Sequence, residues 1–236
     1  MADAAKPVKK ASPIKNGYLI LYNAVSAVLW LTVLGRVVGA NLTGGPLLVY
    51  PTVGEFCKWT QTLAGMEILH SLLGVVRAPL FTTFMQVFSR YAIVWGVTGL
   101  FPELALGSDS GNSYSSLAYS SMLVAWASTE IIRYSYFALS LSSGGKPPYA
   151  LHWLRYHAFF ILYPVGISSE AYLIWRAVEP AKEAVSPLYS TVLFGYVALV
   201  YPPAAYILYT HMMAQRRKVM KATKTSNKAS DKKTSK

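Results

Sequence analysis

Tyr163 and Glu170, two polar residues in one long apolar run, are the residues whose types and spacing best suit catalysis. A carboxylate can act as a general base, and a phenol can donate a proton or a hydrogen bond. Residues 163 and 170 are close to two helical turns apart, so their side chains would lie on one side of a helix with Cα atoms about 10.5 Å apart. The pair could therefore perform acid–base chemistry on a group held between them.

This separation of Tyr163 and Glu170 is too long for direct contact. Both side chains would lean toward the N-terminus of the helix, so a regular helix does not close the gap. Pro164 and Gly166 lie between them. A proline inside a helix removes one backbone donor and crowds the preceding turn. A kink or a loosened turn at this point could therefore change both the spacing and the hydration of the pair.

A structural role for the same pair is an open alternative. Tyr163 would then donate its hydroxyl to a backbone carbonyl, and Glu170 would bridge Arg133 or Arg155. From spacing alone, we favour this structural interpretation over the catalytic one.

Other ionisable residues interrupt the apolar runs, and each would cost about 2.5–3.5 kcal/mol if it were left unpaired in hydrocarbon. Together with Glu170 they are Glu67, His70, Arg90, Glu130, Arg133, Arg155 and His157. They must therefore face the interior of a bundle or water, where they can form structural ion pairs. Glu130 and Arg133 are three residues apart on one helix face, so a local pair is predicted.

The composition indicates a multispanning membrane protein. Of the 236 residues, 53% are hydrophobic and only 14% are charged, and the mean hydropathy is +0.34, which is too apolar for an ordinary soluble domain of this length. Most of the net charge of +12 lies in the two tails. No basic, aromatic-rich soluble surface is left between the tails, so a nucleic-acid-binding domain is excluded.

The hydropathy pattern predicts an all-α fold, a bundle of six transmembrane helices. The six apolar runs cover about 18–38, 56–76, 79–100, 114–141, 151–178 and 187–213. Residues 17–215 would form this domain, with disordered basic tails at 1–16 and 216–236. Both tails are rich in lysine and arginine, so the positive-inside rule places both termini in the cytosol.

Several catalytic classes lack their motifs. The sequence has no glycine-rich phosphate loop, no histidine cluster with metal-ligand spacing and no serine nucleophile elbow. Cys57 is the single cysteine, so it forms no internal disulfide. Leu63 stands where the phosphate-binding arginine of a cysteine phosphatase would follow it, which excludes phosphatase chemistry.

Two blocks of sequence resemble the very-long-chain (3R)-3-hydroxyacyl-CoA dehydratases, also called protein tyrosine phosphatase-like proteins. The blocks are Trp126-Ala127-Ser128-Thr129-Glu130-Ile131-Ile132-Arg133-Tyr134, then Leu154-Arg155-Tyr156 followed by Leu162-Tyr163-Pro164-Val165-Gly166-Ile167-Ser168-Ser169-Glu170. Glu67 with Arg77-Ala78-Pro79 also matches the look of the family. The resemblance spans about residues 18–217 and leaves out only the tails.

The resemblance implies an enzyme of the endoplasmic reticulum membrane that removes water from a (3R)-3-hydroxyacyl-CoA to give the trans-2-enoyl-CoA in fatty acid elongation. The catalytic tyrosine and glutamate of the family correspond to Tyr163 and Glu170. Our working assignment has Glu170 as the base at C2 and Tyr163 as the acid at C3, and the reverse assignment stays open. Neither step calls for a metal or redox cofactor.

The resemblance also implies an acyl-CoA substrate and partners in the elongation cycle: the condensing elongase, the ketoacyl-CoA reductase and the enoyl-CoA reductase. We expect Arg133, Tyr134, Arg155 and Lys146 to contact the substrate, with the cationic residues attracting the phosphates of coenzyme A near the cytosolic entrance. Two alternatives are a polytopic transporter, which would also place paired charges in six helices, and a non-catalytic scaffold of the elongation complex. A transporter is favoured by a pseudo-repeat between the halves, which the sequence lacks, and a scaffold is disfavoured by the two intact motif residues.

Overall fold

The computed structural model describes residues 12–107 and 114–234, and every regular element in these ranges is helical. The predicted all-α class is therefore confirmed for this part of the chain. The α-helices are α1 Pro13–Gly44, α2 Val49–Leu63, α3 Gly65–Leu72, α4 Leu80–Tyr91, α5 Pro102–Leu106, α6 Tyr114–Ser142, α7 Tyr149–His157, α8 Phe159–Ala184, α9 Pro187–Gly195 and α10 Tyr201–Thr234. A 3-10 turn, Pro46–Leu48, precedes α2, and π-helical segments follow α4 at Ala92–Val97 and α9 at Tyr196–Val200.

Helix α6 lies at the centre of the bundle. It packs along α1 on one side and along α8 on the other, and apolar side chains from all three helices form the core. Core members include Trp30, Val33 and Val37 of α1, Met122, Leu123 and Trp126 of α6, and Leu173 and Ile174 of α8. Because α6 is buried on the faces that meet α1 and α8, the polar side chains on those faces must find partners inside the protein.

Two helices of the described residues are long and apolar enough to cross a bilayer: α1, and the continuous helix Pro187–Lys221 that α9 and α10 form together. Helices α7 and α8 form a third candidate if the bent pair counts as one span. The second and third apolar runs fold as the shorter helices α2, α3 and α4. The predicted number of six spans therefore stays a prediction.

The second run is interrupted at Ala64, between α2 and α3. The Tyr91 hydroxyl donates to the Thr62 carbonyl and lies against Gly65. A Cβ atom at Gly65 would come within 2.5 Å of the Tyr91 Oη atom. The glycine therefore allows α4 to approach the junction of α2 and α3.

The fifth run bends by 45° at Ala158, where α7 ends and α8 begins. Helix α8 continues through Pro164. The proline ring crowds the carbonyl of Phe160, so the strain that it imposes falls in the first turn of α8, next to the bend. Gly166 packs against α6: a Cβ atom placed on this glycine would lie 3.6 Å from the Ala125 Cβ atom.

The predicted tails differ in how much of them the structure describes. Residues 1–11 and 235–236 lie outside the described ranges. At the other end, α10 continues to Thr234, through most of the segment for which a disordered tail is predicted. The chain contains neither glycine nor proline after Pro203, so no strong helix-breaking residue interrupts α10 beyond that point.

Candidate active site

Glu170 lies where α6, α8 and α10 meet. Its Oε1 atom accepts a hydrogen bond of 2.6 Å from the Trp126 indole nitrogen on α6. Its Oε2 atom accepts one of 2.5 Å from the Tyr201 hydroxyl at the start of α10. Both oxygens of the carboxylate are thus oriented by donors from neighbouring helices.

Tyr163 lies on the same side of α8 and also faces α10. Its hydroxyl donates to the Ala205 carbonyl at 3.0 Å, and its ring contacts that of Tyr209, with centroids 5.7 Å apart. Tyr201 and Ala205 are four residues apart, so they share one face of α10. One face of the last helix therefore binds both residues of the predicted pair.

These contacts agree with the structural interpretation for Tyr163 but not for Glu170. The Tyr163 hydroxyl does bind a backbone carbonyl. Glu170, however, binds Trp126 and Tyr201 in place of the expected arginines. Arg133 binds other carboxylates, and Arg155 stacks on aromatic rings.

A network of alternating charges lies between α3, α4 and α6. Arg133 binds both oxygens of Glu67 at 2.7 Å and donates through Nε to Glu130 at 2.7 Å. Arg90 donates to the other oxygen of Glu130 at 2.5 Å. The predicted pair of Glu130 and Arg133 is confirmed, and it belongs to a larger network of two acids and two bases in which the charges balance.

An aromatic ring links this network to Glu170. The Arg90 guanidinium lies over the Trp126 ring, 4.9 Å from its centroid, and the indole nitrogen of the same ring donates to Glu170. Trp126 is almost fully buried, with 2% of its surface exposed. The position of the Glu170 carboxylate is therefore tied to the ion pairs through one rigid side chain.

The four residues predicted to contact substrate fall into two groups. Arg133 and Tyr134 are part of the ionic network, and the Tyr134 hydroxyl donates to Glu67. Arg155 lies on α7 with its guanidinium over the rings of Tyr136 and Phe137, at 4.7 and 4.5 Å. Lys146 is exposed in the turn between α6 and α7. The structure thus separates Arg155 and Lys146 at one end of the bundle from Arg133 and Tyr134 inside it.

A second basic side chain lies against the same end of the fifth run. Arg216 of α10 donates to the His157 Nε2 atom at 3.0 Å and lies over the Phe160 ring. The His157 ring in turn stacks on Trp153, with centroids 4.5 Å apart. This end of the bundle therefore combines cationic groups with flat aromatic surfaces.

An open cavity of about 340 Å³ lies between α6 and α8. Hydroxyl-bearing side chains line much of it: Tyr114, Ser121, Ser168, Ser169 and Tyr172. Ser121 and Ser169 bond across it at 2.9 Å. Ser169 directly precedes Glu170 in the chain, but Glu170 does not line the cavity.

Sequence reasoning did not assign a role to the two donors that bind Glu170. Trp126 is the first residue of the first motif block, and this position is the only sequence feature that points to a role for it. Tyr201 stands directly before Pro202 and Pro203 inside an apolar run, an arrangement that marks an irregular helix. That irregularity was the one signal that could have identified it.

Comparison with known proteins gives consistent matches. The sequence model of the family described as "Protein tyrosine phosphatase-like protein, PTPLA" matches residues 61–222. A Schizosaccharomyces pombe protein named "Probable very-long-chain (3R)-3-hydroxyacyl-CoA dehydratase" is 40% identical over 209 residues, which are 88% of this chain and 95% of that protein.

Plant and human proteins match over similar lengths. The very-long-chain (3R)-3-hydroxyacyl-CoA dehydratase PASTICCINO 2B of Oryza sativa is 35% identical over 91% of this chain and 98% of its own. The human very-long-chain (3R)-3-hydroxyacyl-CoA dehydratase 2 is 34% identical over 92% of this chain and 85% of its own. No solved structure was found to match. The family match and these relatives show that the chain belongs to the protein tyrosine phosphatase-like (PTPLA) family.

Proposed function

We propose that this protein is a very-long-chain (3R)-3-hydroxyacyl-CoA dehydratase. The observation that carries the proposal is a carboxylate and a phenol from one helix, Glu170 and Tyr163, that both face the same side of α10. The three relatives described above carry this activity in their names and match this chain along most of its length.

The reaction removes one proton and one hydroxide from adjacent carbons. The thioester acidifies the hydrogen at C2, which needs a base, and the hydroxyl at C3 is a poor leaving group, which needs a proton. The C2–H bond breaks, its electrons form the C2=C3 double bond, and the C3–O bond breaks to release water. The trans-2-enoyl-CoA and water together contain all the atoms of the substrate.

In our assignment Glu170 accepts the C2 proton and Tyr163 protonates the departing C3 hydroxyl. For this step the Tyr163 hydroxyl must turn from the Ala205 carbonyl to the substrate oxygen. Glu170 then releases its proton to solvent water and the Tyr163 oxygen takes one from solvent water, which restores both groups for the next turnover.

Arg155 and Lys146 are the residues that we assign to the phosphates of coenzyme A. Arg155 is held by ring stacking on Tyr136 and Phe137, and within the described residues no carboxylate forms an ion pair with it. Arg133 has two carboxylate partners, Glu67 and Glu130, so its charge is balanced. The coenzyme would thus bind at the end of the bundle, and the acyl thioester would reach inward to Glu170.

The membrane context of the proposal is a six-span protein of the endoplasmic reticulum with both termini in the cytosol. The basic residues that flank the first and last runs support this orientation. A ketoacyl-CoA reductase would supply the hydroxyacyl substrate and an enoyl-CoA reductase would consume the product. Together with the condensing elongase, these enzymes are the proposed partners.

The test is an assay of purified protein with a (3R)-3-hydroxyacyl-CoA, followed as formation of the enoyl-CoA. We expect Tyr163→Phe and Glu170→Gln each to lower kcat by about 10²-fold or more, because each removes one acid–base group. Tyr189→Phe is a matched control, since its hydroxyl also donates to a backbone carbonyl, that of Gly96 at 2.7 Å. Full activity in either site variant would remove that residue from the mechanism.

A further inference from the structure

Tyr201 provides the shortest hydrogen bond to Glu170. Its hydroxyl lies 2.5 Å from Oε2, while the Trp126 nitrogen lies 2.6 Å from Oε1. A hydrogen bond to an ionised acceptor is shorter and stronger than one between neutral groups. Tyr201 comes from the last helix, far along the chain from the motif that contains Glu170, so local sequence gives no reason for the two to meet.

The backbone around Tyr201 is irregular. The π-helical segment Tyr196–Val200 ends directly before it, and Pro202 and Pro203 follow it. A π-helical segment changes the face on which the following residues lie, and such segments are frequent at functional sites. The two prolines then fix the φ angle at two positions in the first turn of α10. The chain thus defines the direction in which the Tyr201 ring points.

The geometry of the carboxylate explains what a donor on each oxygen achieves. An ionised carboxylate has about four lone-pair sites. Donors on both oxygens fix the plane of the group and leave the remaining lone pairs pointing in defined directions. With one donor missing, the group can turn about its own axis, and small errors in placing a reacting atom are costly.

We propose that Tyr201 is a positioning residue for Glu170, which holds the carboxylate so that a free lone pair faces the C2 hydrogen of the substrate. The proposal rests on the proposed function, because it assigns Tyr201 a part in the same reaction. Trp126 holds the other oxygen. Tyr201 acts through Glu170 and does not itself exchange a proton with the substrate.

The test is Tyr201→Phe, which removes only the hydroxyl, assayed with a substrate carrying hydrogen or deuterium at C2. We expect kcat to fall by about 10-fold or more with little change in KM, because the lost bond orients a reacting group and binds no substrate. We also expect a larger deuterium isotope effect on kcat than in the unmodified protein, since proton removal at C2 becomes slower relative to the other steps. Tyr189→Phe is the control and should leave the isotope effect unchanged.

A double-mutant cycle gives a second, independent readout. If Tyr201 acts through Glu170, then Tyr201→Phe should cause little further loss in a Glu170→Gln background, measured by single turnover at high protein concentration. Losses that multiply in the double variant, or an unchanged isotope effect, would overturn the positioning role. Unmodified protein that forms no enoyl-CoA would contradict the proposed function itself. An active protein that is indifferent to Tyr201→Phe would contradict only this inference.

Discussion

Arg133 presents its two terminal nitrogens to the two oxygens of Glu67, and each N–O distance is 2.7 Å. The arginine is on α6 and the glutamate is on α3. Arg90 of α4 reaches the same region through Glu130 of α6. These ion pairs therefore attach the two short helices α3 and α4 to the central helix of the bundle.

Glu67→Gln should destabilise the protein, because it leaves the Arg133 guanidinium with one carboxylate in place of two. The pair is partly buried and Arg133 keeps Glu130, so we expect a loss of about 1.5–3 kcal/mol, the range for a hydrogen bond to a charged group. We expect a lower thermal unfolding temperature in detergent micelles, with loss of helical signal as the readout. Glu55→Gln is the control, because the pair of Glu55 with Lys58 has a carboxylate that is 73% exposed and should add little. Equal shifts in the two variants would show that the Glu67 pair adds nothing of its own.

The partners of these charges show how far the sequence could predict the site. Glu130 and Arg133 are three residues apart on one helix, so their pair followed from local geometry and is confirmed. The partner of Arg133 on α3 depends on how separate helices pack. No local pattern could distinguish Glu67 from the other buried acids.

The fifth run shows a similar division for the fold. Helical periodicity and length predicted one long helix around Tyr163 and Glu170, and both residues do lie in α8. The bend lies at Ala158, before Pro164, and α8 runs without a break through the proline. The donor from Tyr201 could not be predicted, since it requires the last helix to pack against α8 with its irregular segment in the right register.

Trp126→Phe should impair catalysis beyond the packing loss that the smaller ring causes in the core. The variant keeps an aromatic ring beneath Arg90 but removes the donor to Glu170 Oε1. A hydrogen bond to a charged group is worth about 1.5–3 kcal/mol, so we expect kcat to fall by about 10-fold or more. Steady-state kinetics with a hydroxyacyl-CoA substrate measure the effect.

Trp95→Phe is the matched control for this variant. The Trp95 indole nitrogen donates to the Thr62 hydroxyl at 3.1 Å, away from Glu170. Its loss should leave kcat close to that of the unmodified protein. Because Trp95 is 40% exposed and Trp126 is buried, the thermal unfolding temperature of Trp126→Phe is measured as well. A fall in kcat that is matched by loss of folded protein would mean that the Trp126 effect comes from loosening of the bundle.

Arg155→Gln should raise KM more than it lowers kcat, because the residue is assigned to the phosphates of the coenzyme and not to the reacting carbons. The expected rise is about 10-fold, as for the loss of one charge-assisted hydrogen bond. Lys146→Gln should have the same sign and a smaller size, since Lys146 is exposed. Initial rates over a range of acyl-CoA concentrations separate the two constants.

A matched variant for Arg155 is Arg36→Gln, which also removes a guanidinium stacked on an aromatic ring, here Phe56 at 4.5 Å. It lies near the C-terminal end of α1, at the opposite side of the predicted bundle, and should not change KM. A fall in kcat without a rise in KM for Arg155→Gln would exclude this residue from coenzyme binding.

The six-span topology predicts that the turn before α7 and the turn after α8 lie on opposite sides of the membrane. Lys146 lies in the first of these turns and Glu183 in the last turn of α8, just before the second, and both side chains are exposed. In a Cys57→Ala background, Lys146→Cys should react with a membrane-impermeant maleimide in cells in which only the plasma membrane has been permeabilised. Glu183→Cys should react only after the inner membranes are also opened. The unmodified protein, whose Cys57 is 1% exposed, is a separate unreactive control. Equal labelling of both positions from the cytosolic side would mean that α7 and α8 together do not cross the bilayer, and that the path of the substrate to Glu170 does not run along a spanning helix.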